Sequence, residues 1–153
     1  KRPGSRSKEH TYELTELAPA LARPLVRAAR LRIRMTPHDA PPVTGDLPNY
    51  LKLLELGGVL RAPREARGVV ELHVIPREGE HGWRDAEIAL EHGHISQHKG
   101  NLPPRAIARA TPIAWWDAIL DENLAGIEIE GDVELAHTLL AAISAAVNTS
   151  AGA

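Results

Sequence analysis

The stretch from Thr111 to Ile143, TPIAWWDAILDENLAGIEIEGDVELAHTLLAAI, constrains the fold more than any other part of the chain. At its centre Ile127 and Ile129 alternate with Glu128 and Glu130, the period of a strand with one face buried. Gly131 allows a tight exit. Asp132 can then accept hydrogen bonds from the open amides of a following helix, whose positive end also favours a carboxylate. Val133, Leu135, Ala136, Leu139, Leu140 and Ile143 recur at helical spacing, so that helix presents an apolar stripe. A second helix, around Trp115 and Trp116, precedes the strand. Two helices flanking a half-buried strand need a common apolar layer, which calls for a mixed helix and sheet domain.

Further strands can be read upstream. Arg67 to Pro76 alternates Val70, Leu72 and Val74 with Glu71 and His73. Trp83 to Glu91 alternates Ala86, Ile88 and Leu90 with Asp85 and Glu87, and Glu91-His92-Gly93-His94 turns it into HISQHKG as a tight hairpin. Arg105 to Ala110 reads as a fourth strand leading into Thr111. With IEIE the expected fold is α/β of the α+β type, a five-stranded, largely antiparallel sheet whose helices cover one face. Before it, NYLKLLELGGVL reads as a short helix stopped at Gly57-Gly58.

The helix start Thr111-Pro112, Trp115, the strand Ile127 to Glu130, the turn Gly131-Asp132, and Leu135 and Ala136 together resemble the C-terminal half of sterol-carrier-protein-like domains. The resemblance implies an α/β unit that holds lipids or other apolar molecules between sheet and helices. In bacteria such domains also occur appended to regulators and enzymes. It therefore implies a fold more directly than a function.

Charge divides the chain. Residues 1–34 hold nine Lys and Arg against three Asp and Glu, a balance of +6; residues 35–153 hold nine against seventeen, a balance of −8. A basic arm on an acidic body points to a polyanion partner for the arm and a separate task for the body. The chain begins Lys-Arg-Pro with no initiator Met, which suggests a piece or processed form of something longer. Its apolar content is Leu, Ala, Ile and Val with no Phe, so any cavity should be aliphatic. The absence of cysteine excludes disulfides, thiolate metal sites and a cysteine nucleophile, and suits a cytoplasmic location. No long uncharged apolar run suggests a membrane span.

Residues Lys1 to His10 are basic and broken by Pro3 and Gly4. Tyr12 and Leu14 suit a short strand, Thr15 a helix N-cap, and Leu17, Leu21, Leu25 and Ala28 or Ala29 the stripe of a helix over about Glu16 to Arg34, kinked at Pro24. Tyr12, Leu14, Thr15, Leu17 and Leu21 resemble the end of winged-helix repressors of the PadR and HxlR kind, where a YxLT segment is the second wing strand and the next helix packs on the body or forms the dimer. Ala18 stands where Gly is common, and Pro19 and Pro24 depart from that pattern. The resemblance implies a homodimer that contacts DNA phosphates through Arg2, Arg6 and Lys8; the alternative is a solvated basic end. Met35 to Asp46 carries three prolines and a glycine and reads as a linker. The expected units are 1–34, the end of a winged-helix domain; 35–46, a linker; and 47–149, a sterol-carrier-like domain.

Few residues suggest other chemistry. His92, His94 and His98 lie close in sequence, but the turn at Gly93 separates them and no carboxylate stands at a convincing ligand spacing, so neither a metal nor another cofactor is expected. His73 should be exposed on its strand, and His137 on the flank of the last helix. Asp117, Asp121 and Glu122 fit the polar face and end of the tryptophan helix better than an acid and base pair. No serine-nucleophile, phosphate-loop or dinucleotide motif is present, and the chain is not expected to be an enzyme. On a helix Trp115 and Trp116 point about a hundred degrees apart. Either one is core and the other caps the domain, or one lines the mouth of an apolar cavity. A ligand site would then comprise Leu72, Val74, Ile88, Leu90, Trp115 and Trp116. Together these features describe the ligand-sensing, dimerising C-terminal part of a bacterial winged-helix regulator. A lipid or sterol carrier module and a non-catalytic accessory domain of an enzyme are the alternatives.

Overall fold

A computed structural model describes residues 47–76, 84–98 and 100–149, together with Pro24, Ala28 and Leu31, which have helical backbone and are exposed. The expected wing strand, the linker and the rest of the kinked helix lie outside the described residues. Helix α1 (Leu47–Leu56) ends where expected, with Gly58 at φ +65. Strands β1 (Gly68–Val74), β2 (Ala86–Glu91), β3 (His94–Gln97) and β4 (Ala106–Ala110) follow, then α2 (Pro112–Asp121), β5 (Glu128–Gly131) and α3 (Val133–Thr149).

The architecture is α+β, with one five-stranded mixed sheet of order β3-β2-β1-β4-β5. Three neighbouring pairs are antiparallel and the central pair, β1 with β4, is parallel. Strands β2 and β3 meet in register Glu91↔His94, so His92 and Gly93 alone make the turn. Both have positive φ, +51 and +84, the twist that matches a hairpin with a two-residue loop.

Alternation sorts the sheet into two faces. Val70, Leu72, Val74, Ala86, Ile88, Leu90, Ala106, Ala108 and Ala110 are buried among the helices. From α3 the buried stripe is Leu135, Ala136, Leu139, Leu140, Ile143, Ala146 and Val147. Val133, expected in that stripe, is 46% exposed, because its position at the first turn precedes the contact with the sheet. Helix α1 contributes Leu51 and Leu54, and the Gln97 side-chain amide donates to the Pro48 carbonyl, fixing α1 against β3.

Helix ends follow local chemistry. Thr111 caps α2, its hydroxyl oxygen accepting from the Ala114 amide at 3.4 Å, with Pro112 in the first turn, where no amide is needed. Asp132 caps α3 through Oδ1 and the Leu135 amide, at 3.0 Å. Its Oδ2 accepts from Arg105 at 2.6 Å, while its own amide donates to the Arg105 carbonyl. The Gly-Asp turn thus fastens α3 to the start of β4.

Candidate apolar binding site

The layer between sheet and helices is built from strand alternation and the α2 and α3 stripes. Its chemistry is nearly uniform. Among the described residues the buried set is aliphatic apart from Trp115, and Ser144 is the one buried polar side chain. Leu72, Val74, Ile88 and Leu90 come together on the inner face as alternation predicts, each 8% exposed or less. Trp115 is 1% exposed, and its Nε1 donates to the His73 carbonyl of β1 at 3.1 Å. That bond satisfies the polar atom of an otherwise apolar side chain. Trp116 is half-buried and packs against the same cluster. The two rings diverge as their helical spacing requires, one into the core and one at its margin. Arg2, Arg6 and Lys8 lie outside the described residues.

The opposite face of the sheet carries a feature that sequence reasoning missed. A cavity of about 440 Å³ is lined by Glu71, His73, Asp85, Ala86, Glu87 and His98. His73 is half-buried rather than exposed on its strand, because its Nε2 lies 2.8 Å from Glu71 Oε2. Asp85 Oδ1 accepts from the Val74 amide at 2.9 Å, just past Leu72↔Ala86, the last pair of the β1–β2 ladder. The His98 amide donates to the Glu87 carbonyl, and its buried Nε2 has no hydrogen-bond partner among the described residues. The signal available in sequence was the polar half of each alternation, Glu71 and His73 on one strand and Asp85 and Glu87 on the next. Among the described residues no group of three His, Asp or Glu side chains is arranged to hold a metal ion. His92 and His94 are exposed on the hairpin and His137 on α3. Asp121 and Glu122 are exposed at the end of α2, while Asp117 is half-buried.

Among the described residues no helix is long and apolar enough to cross a membrane. No protein-family model matches the chain, and no curated protein does. Among the solved structures that resemble it are two of low sequence identity. One is a UbiJ-SCP2 ubiquinone synthesis protein, 11% identical, covering 88% of this chain and 96% of its own, with a TM-score of 0.40. The other is sterol carrier protein 2 like 2 from Aedes aegypti, 15% identical, covering 80% of this chain and 96% of its own, with a TM-score of 0.33. The α+β fold is given by the chain's own sheet order and helix placement.

Proposed function

We propose that the domain formed by residues 47–149 is an apolar-ligand-binding module of the lipid-carrier kind, taking its guest between the inner sheet face and helices α2 and α3. One observation carries this reading: the layer offers aliphatic surface and an indole, and Ser144 is the single polar side chain buried among the described residues. With no buried charge to orient a polar molecule, affinity comes from buried apolar area at roughly 25 cal/mol per Å², less the costs of binding. Buried area alone therefore gives weak selectivity among apolar molecules of similar size.

Titration with fatty acids, sterols and small aromatics, followed by tryptophan fluorescence and melting temperature, tests the reading. A bound guest should raise stability by about 2.7 kcal/mol at a hundredfold excess over Kd. Absence of a thermal shift with every such compound would leave the domain as a packing module.

The charge division of the chain supports a second reading, the ligand-sensing part of a cytoplasmic, non-enzymatic, dimeric winged-helix regulator. The first 34 residues hold nine Lys and Arg against three Asp and Glu. In that role Arg2, Arg6 and Lys8 contact DNA phosphates without reading sequence. Replacing all three with Ala in the complete protein should weaken operator and random DNA alike and flatten the salt dependence. Unchanged affinity and salt slope would reject it.

A further inference from the structure

The space assigned above to a guest is partly filled by the chain itself. Trp115 leaves α2, is 1% exposed, and ends on the His73 carbonyl of β1. Strand β4 lies beside β1 in the sheet, with Leu72 opposite Ala108 and Val74 opposite Ala110. A ring that starts on the helix after β4 and bonds to β1 therefore bridges the two strands at the Val74 and Ala110 end of their pairing. The inner surface of β4 carries Ala106, Ala108 and Ala110, each 2% exposed or less. Alanine at three successive inward positions adds nothing beyond Cβ to the layer between sheet and helices, and the indole lies at its Ala110 end. Interiors tolerate few voids, so the small floor and the large ring belong to one arrangement.

We infer that Trp115 is an internal stand-in for the guest. A molecule that reaches the sheet over β4 has to displace the indole and take over its place at the His73 carbonyl. This inference rests on the apolar-ligand reading and narrows it to a class. The preferred guest is a flat, ring-sized apolar molecule with one N–H or O–H donor, because such a molecule reuses both the alanine floor and the carbonyl acceptor. Displacing the ring imposes a conformational tax on every guest, since only the fraction of molecules with the indole withdrawn can bind. Shrinking residue 115 removes that tax.

The test uses the whole chain, with indole, 1-methylindole and palmitate as probes. Calorimetry should find indole bound at least tenfold more tightly by Trp115→Ala than by the unsubstituted protein, with a saturable rise in the variant's melting temperature. Trp115→Leu, which keeps more of the packing, should show the same order if the alanine variant fails to fold. 1-Methylindole, which lacks the donor, should bind less tightly than indole, and palmitate less tightly again. In unsubstituted protein labelled with 5-fluorotryptophan, the ¹⁹F signal of Trp115 should shift as indole saturates, which requires no variant. Saturable binding of these guests with the Trp115 signal unmoved and no gain in either variant would place the guest elsewhere. That result overturns this inference and leaves the proposed function standing. Indole bound by the variants alone, with the unsubstituted protein taking no apolar guest, would mean an artificial cavity only and would overturn both.

Discussion

Gly131 and Gly58 both have positive φ, +90 and +65, but their surroundings differ. A Cβ at Gly58 meets no atom within 4 Å, whereas one at Gly131 would overlap the backbone carbonyl of Arg105. Gly58→Ala should therefore cost only its backbone strain, about 1 kcal/mol. Gly131→Ala adds a clash that backbone cannot relieve and should cost roughly 2–4 kcal/mol. Urea unfolding at constant m checks the contrast, and equal losses would mean that the β5–α3 turn yields freely. Asp132, next in the chain, caps α3 and pairs with Arg105, so it can be dissected by degree. Asp132→Asn keeps the cap and loses most of the pairing. Asp132→Ala loses both, and should cost about 1 kcal/mol more than the asparagine change in the same unfolding experiment. These two residues belong to the segment that suggested a sterol-carrier-like domain, and their chemistry here is structural. They fix α3 to the sheet and line neither face where a ligand could lie.

At the scale of elements, the β1–β2 pair has a fault. Its register sets Glu71 directly opposite Glu87 on the face turned away from the described helices, and like charges facing across a strand pair are destabilising. Glu87→Gln should raise stability by about 0.5 kcal/mol at low ionic strength, the gain shrinking as salt screens the pair. A loss instead would show that Glu87 is held by a compensating contact. Alternation makes β1 and β2 legible because each buries one face, and the readings Arg67 to Pro76 and Trp83 to Glu91 enclose the strands Gly68–Val74 and Ala86–Glu91; Arg105 to Ala110, read from its place before Thr111, encloses Ala106–Ala110. The apolar half of that pattern also placed Leu72, Val74, Ile88 and Leu90 together. Its polar half reads as solvent-facing, whereas the structure sets Glu71, His73, Asp85 and Glu87 around an open cavity. The open cavity depends on which side chains of neighbouring strands stand opposite one another, and nothing in a single strand's pattern encodes that register. The reach of Trp115 to His73 was hidden for the same reason, because it depends on β4 lying parallel beside β1.

For the whole molecule, the sheet order predicts how stability is distributed. Strands β1 and β4 are central and are covered by α3, while β3 and β5 are edges, and β5 is largely exposed. Native-state hydrogen exchange should be slowest at Val70, Leu72 and Ala108 and much faster at Glu128 and Glu130, with α3 close to the central strands. Uniform protection across all five strands would contradict that gradient. The same order has a consequence for the chain as it leaves the ribosome. Strand β1 is the middle of the finished sheet, yet it is made first, and the β2–β3 hairpin supplies a neighbour on one side only. Its other side waits for Ala106–Ala110, so the nascent polypeptide presents a bare, valine-rich strand edge throughout the intervening synthesis. Any pause between the release of β1 and the release of β4 from the ribosome prolongs that exposure, and an unpaired edge of this kind is a template for aggregation.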